Sequence, residues 1–271
     1  MEEHRHLPDA NRLSVLVSTI LLAYAVLPFI DITSQELAFQ LPGVFLAFRF
    51  SLATMIAFVV AVLAAVGSDW LLRSHPRHHH QNTMQHWLLP ALTAWAIGIP
   101  LNTLEVGTEW WMVFALGGTL LVLVFVAEYV ALDTSDTRYA LATVGLTAVG
   151  YALYLVLAIA VRAAGLRLYL LLPALVVPMG LFSLRALYLR LGRRWCAGWA
   201  AGIALVIGQL AMGLHYLPLS PLGFGLGLLG PVYALTSAVG SLEEGVSWRV
   251  LWIEPAAMLG GLWGLALLVG G

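Results

Sequence analysis

Lysine is missing from this chain; all thirteen cationic residues are arginines. That absence excludes chemistry needing a lysine amine, such as a Schiff base or the lysine of a phosphate-binding loop. Cysteine is nearly missing as well. Cys196 stands alone, so no intrachain disulfide can form. Charge of either sign is scarce, at 10% of residues, where a soluble domain carries about 25%. The net charge of −1 leaves no basic footprint for nucleic acid. A chain of 271 residues is long enough to bury a soluble core, yet so few charges cannot clothe one in a solvated surface. Hydrophobic residues make up 61%, so the solvent for most of the surface is expected to be lipid.

A membrane helix needs about 20 mostly apolar residues. Nine runs qualify, roughly 13–30, 44–66, 87–104, 110–132, 138–162, 167–190, 195–217, 221–240 and 249–270. Their continuity differs from the short alternating segments of a barrel strand, and lipid admits only helices or closed barrels. The expected fold is therefore an all-α polytopic transmembrane bundle of about nine spans, with eight as the alternative and no soluble domain. Residues 1–271 form one transmembrane domain, with a polar tail at 1–12 and a His-rich loop at 67–86. The third run is short and holds Pro90 and Pro100, so a re-entrant hairpin competes there. No small-residue cleavage site follows the first run, which is expected to be retained as a helix.

The arginines test this layout independently. Nine spans place Arg5, Arg12, Arg73, Arg77, Arg138, Arg185, Arg190, Arg193, Arg194 and Arg249 on one side, and Arg162 and Arg167 on the other. Loops rich in arginine stay in the cytoplasm. The expected topology has a cytoplasmic N-terminus and an outer C-terminus, in a bacterial inner membrane.

Several motifs invite a chemical reading. Gly225, Gly227 and Gly230 spell G-x-G-x-x-G, but no strand precedes them, so close helix packing is the better reading. Gly260 and Gly264 read the same way. His75, His78, His79, His80 and His86 crowd one loop; imidazoles bind zinc or copper, although a run of adjacent histidines in a polar loop is more often solvated. No cofactor is expected, and His78, His79 and His80 are the only weak metal candidates. Asp133 and Asp136 form D-x-x-D after the fourth run, with Glu128 before them. Carboxylates so placed can hold Mg²⁺ against a lipid pyrophosphate, while the plainer reading is capping of the next helix by Ser135 or Asp136. Arg49 falls inside the second run, where a charge costs about 2.5–3.5 kcal/mol and needs a partner. Asp31, Glu36, Glu105 and Glu109 lie on the same expected side, and Asn102, Gln209 and His215 in the same half.

Two stretches carry a resemblance. One is VFVAEYVALDTSDTRYALATVGLTAVGYAL (124–153) with VRAAGLRLYLLLPAL (161–175); the other is GLHYLPLSPLGFGLGLLGPVYAL (213–235) with SLEEGVSWRVLWIEP (241–255). Together they resemble an uncharacterised family of multi-pass membrane proteins associated with Chloroflexota-type bacteria, over roughly residues 85–260. That family carries no assigned activity, so the resemblance implies none.

The first functional expectation is a non-enzymatic membrane protein that binds or passes a small solute or lipid, or serves as a subunit of a membrane complex. Its partners would be the bilayer and other membrane subunits. Its ligand residues would be Arg49, Asn102, Glu105, Glu109, Gln209 and His215. The alternative is a cytoplasm-facing enzyme acting on a phospholipid or prenyl lipid through an acidic metal site. Glu128, Asp133, Asp136, Glu243, Glu244 and Glu254 would supply the carboxylates, and Arg138, Arg185 and Arg249 would grip phosphate. That reading requires the loops at 133–138 and 241–249 to meet at one cavity.

Overall fold

Every apolar run carries a helix, because a backbone surrounded by lipid must satisfy its polar groups within its own segment. The computed structural model describes residues 8–30, 35–41, 44–50, 52–74, 84–192 and 194–270. The helices are α1 (Ala10–Val26), α2 (Leu52–Leu72), α3 (Leu88–Thr103), α4 (Thr108–Val130), α5 (Tyr139–Ala163), α6 (Leu168–Arg190), α7 (Ala197–His215), α8 (Pro221–Glu243), the single turn α9 (Trp248–Leu251) and α10 (Ile253–Gly270). Single 3-10 turns stand at Leu27–Phe29 and Met84–His86. Among the described residues seven helical segments are long and apolar enough to cross a membrane. The 23 residues of α4 reach about 34 Å at ~1.5 Å each, past the ~30 Å of a hydrocarbon layer. The 16 residues of α3 reach only about 24 Å. Phe58, Leu116, Val144, Leu267 and Leu268 all face outward; an apolar exterior of this kind belongs against lipid.

The second run departs from its expected bounds. Residues Gln35–Leu41 and Val44–Phe50 form an antiparallel hairpin, β1 and β2, paired from Leu41↔Val44 to Gln35↔Phe50. The helix begins at Leu52 and runs on through Leu72. The second segment, with three Phe in seven residues, favours strand, and the sequence between the two segments, Pro42-Gly43, is a turn-type dipeptide. At the far end, Ser68 donates to the Ala64 carbonyl and Asp69 pairs with Arg73 at 2.6 Å, which carries the helix into the expected loop. Arg49 therefore sits on β2, in register opposite Glu36, and not in a helix.

Backbone contacts divide the chain into two compact units, Met1–Tyr139 and Ala140–Gly271. In the first, Ile20 and Tyr24 of α1 pack with Val60 and Ala64 of α2, Ala94 and Ile97 of α3, and Leu121 and Phe125 of α4. Two of its buried polar tips are satisfied across helices: the Tyr24 hydroxyl donates to the Ala94 carbonyl at 2.6 Å, and Trp110 Nε1 to that of Leu101 at 3.0 Å.

In the second unit α8 is the central helix, 72% buried along its apolar window where no other span exceeds 44%. Glycine makes this possible. A Cβ on Gly225 would lie 2.8 Å from Ile159 of α5; one on Gly227, 3.3 Å from Leu214 of α7; one on Gly230, 3.2 Å from Leu259 of α10. Three glycines thus admit three neighbouring helices, and Trp263 of α10 donates to the Gly227 carbonyl at 3.0 Å. Gly260 and Gly264 do not pack in this way: nothing lies within 4 Å of a Cβ placed on either.

Candidate functional site

The second unit gathers its polar side chains where α6 and α8 end and α10 begins. Arg190 is the last residue of α6, a position that favours a cation at the negative end of the helix dipole. Its Nε donates to Glu244 Oε1 at 2.7 Å and its Nη2 to Glu244 Oε2 at 2.9 Å, a bidentate pair. Nη2 also donates to Ser241 Oγ at 2.9 Å, and Nη1 to the Ser237 carbonyl at 3.0 Å. The guanidinium can lie against α8 because residue 240 is glycine; a Cβ there would sit 2.6 Å from Arg190 Nε. Glu244 caps α8. Gly245 follows in the left-handed region at φ 75°, with its N–H on the Leu242 carbonyl and that of Val246 on the Ser241 carbonyl. This is a Schellman stop, and it delivers the carboxylate to Arg190. The Arg190 hydrogen bond holds the Glu244 carboxyl below its ordinary range. Beside the clamp, Glu243 accepts from Trp199 Nε1 at 2.8 Å and lies 3.8 Å from Arg194.

Next to this clamp lies a cavity of about 470 Å³. One wall is a stripe on α5, Thr143, Thr147 and Tyr151 at four-residue spacing, which places them on one face. The others are Ala186, Leu187, Leu189 and Arg190 of α6, Tyr233, Thr236 and Ser237 of α8, and Glu254 in the first turn of α10. Tyr151 and Thr236 share a 2.6 Å hydrogen bond, and the Tyr233 hydroxyl donates to Glu254 Oε1. The two tyrosine rings stand 5.5 Å apart at 47°. Arg190 and Glu254 are exposed, while Ala186, Leu187 and Leu189 are buried. The cavity therefore runs from a charged rim to an apolar wall.

The first unit holds a different polar feature. His86 Nδ1 and Glu128 Oε2 share a hydrogen bond of 2.7 Å, and each residue is only 1% exposed. His86 was expected in a solvated loop; it is buried in the turn Met84–His86 that leads into α3.

The other sequence candidates are dispersed. Asp133 Oδ1 accepts from the Ser135 N–H and hydroxyl, and Asp136 Oδ1 from the Arg138 N–H at 2.8 Å, the bonds of a turn entering α5. The cavity of the second unit takes Glu254 directly from that unit's acidic candidates. Arg185 is buried on α6, its guanidinium 5.7 Å from the Tyr188 ring. Asn102, Glu105 and Glu109 are exposed where α3 ends and α4 starts, and Gln209 is exposed on α7. His215 ends α7, where Arg162 Nη1 donates to its carbonyl at 3.1 Å and Nη2 to that of Leu217 at 3.0 Å. The side chains of Arg49 and Arg249, and His78, His79 and His80, lie outside the described residues. Among the described residues no group of three or more His, Cys, Asp or Glu side chains is placed to hold a metal ion.

Tyr151, Arg190, Tyr233, Thr236 and Ser237 were not among the sequence candidates. The signal available for Tyr151 was the hydroxyl stripe Thr143–Thr147–Tyr151 at four-residue spacing on α5. No curated protein and no solved structure matches this chain. Residues 32–269 match a family throughout, and the chain belongs to it: the family described as protein of unknown function (DUF5656).

Proposed function

We propose that the chain is a non-catalytic, multi-pass protein of the bacterial inner membrane whose second unit binds a small amphiphile, a lipid or lipid-like solute, in the cavity between α5, α6, α8 and α10. One observation carries the reading: the cavity joins a polar rim at the helix ends to an apolar wall, the profile of a molecule with a headgroup and a chain. Its residues suit binding without demanding chemistry, since the rim groups hold one another in hydrogen bonds. The same reading places the rim on the arginine-rich, cytoplasmic side.

The test is native mass spectrometry of the full chain purified in mild non-ionic detergent. A bound amphiphile is expected on the wild type, and Thr147→Trp, which puts an indole into the cavity, is expected to displace it without unfolding the chain. An occupancy unchanged in Thr147→Trp, or no bound amphiphile under any lipid supplementation, would overturn the reading.

A further inference from the structure

We infer that this cavity selects a positively charged amine headgroup over a phosphate or a neutral one. The inference rests on the cavity being an amphiphile site and adds the chemistry of its occupant.

The hydroxyls of Thr143 and Thr147 donate to the carbonyls of Ala140 and Thr143, so their oxygens face the cavity as acceptors. Thr236 donates to the Val232 carbonyl at 2.7 Å, which makes the Tyr151 hydroxyl the donor of the bond between them. The Tyr233 hydroxyl is spent on Glu254 Oε1, leaving the second carboxylate oxygen for a ligand. Arg190, the residue that would otherwise mark a phosphate site, has four of its five N–H donors committed to Glu244, Ser241 and Ser237. The donors left over are one Arg190 N–H and the Ser237 hydroxyl. The wall is therefore rich in acceptors and poor in donors.

Charge points the same way. Among the described side chains at the rim, one guanidinium stands against two carboxylates, Glu244 and Glu254, and the first carboxylate already neutralises the guanidinium. The remaining charge is the negative one of Glu254. Beside it the Tyr151 and Tyr233 side chains line the cavity, and an aromatic ring favours a cation over an anion. An ammonium donates its hydrogens to acceptors and has no lone pair to satisfy, so it fits this surface where a phosphate would face the carboxylate unpaired.

The experiment uses the full chain in non-ionic micelles and three probes with the same alkyl chain: dodecylammonium, dodecyl phosphate and dodecanol. Calorimetry is expected to show dodecylammonium binding about tenfold or more tightly than either other probe, the weight of one charged hydrogen bond. E254Q is expected to abolish that preference, with the fold of the variant checked by circular dichroism. Where E254Q is unstable, the ranking of headgroups on the wild type decides alone. Phosphate or alcohol bound as tightly as the amine, with binding still blocked by Thr147→Trp, overturns the amine inference and leaves the cavity reading standing. No probe bound, or binding indifferent to Thr147→Trp, overturns the cavity reading itself.

Discussion

Glu128→Ala removes one member of a hydrogen-bonded pair in which both residues are 1% exposed. The loss has two parts. The His86 ring keeps its burial and loses its 2.7 Å partner, and a void opens where the carboxylate was. Breaking a buried pair from one side costs about 3–5 kcal/mol. Glu128→Gln keeps the shape and an acceptor oxygen, so its cost is nearer 1–2 kcal/mol. At roughly 2–4 °C per kcal/mol for a large domain, the alanine variant falls by on the order of 10 °C. Heating often unfolds proteins irreversibly, so the better assay is equilibrium unfolding by an anionic detergent in mixed micelles. The measurement is a cycle of Glu128→Ala, His86→Ala and the double variant. The double variant is expected to be more stable than the sum of the single losses allows, by about 1 kcal/mol or more. A loss below about 1 kcal/mol in Glu128→Ala, or strict additivity, would refute the claim that the pair is a buried, coupled contact.

Four other outcomes are expected. Glu244 has its folded pKa depressed by Arg190, so its stabilising contribution is present above the ordinary carboxylate range and is lost as pH falls through the folded value; wild type and Glu244→Gln should differ in stability near pH 7 and converge in acid. Asp136→Asn keeps an acceptor for the Arg138 N–H and should cost less than about 1 kcal/mol, whereas loss of a divalent-metal-dependent activity with the fold intact would argue for the enzyme reading. Gly225→Ala pushes a methyl to 2.8 Å from Ile159 and should destabilise by about 1–3 kcal/mol, while Gly202→Ala, with nothing within 4 Å, should not. A reporter fused after Gly271 should be active only when it works outside the cytoplasm; activity in the cytoplasm would reverse the proposed orientation and favour eight spans.

The lipid environment and the helices were legible in the sequence because each is decided locally. Whether 20 consecutive residues tolerate lipid depends on those residues, and all nine apolar runs carry helix. Even the hairpin left a trace, in Pro42-Gly43 ahead of a Phe-rich segment, although a hydropathy window that counts Phe as apolar merges that segment with the helix behind it. The candidate site was legible only in fragments. Glu244 and Glu254 stood out as charges in a chain with few of them, yet nothing local says that Glu244 meets Arg190, 54 residues away, or that Tyr151 reaches Thr236 across 85. His86 looked like one more histidine of a polar loop until Glu128, 42 residues on, was packed against it. Hydropathy distinguishes lipid from water. It does not distinguish lipid from the protein interior, since both are apolar, so the face each helix turns toward its neighbours, and with it the cavity, was decided by tertiary packing.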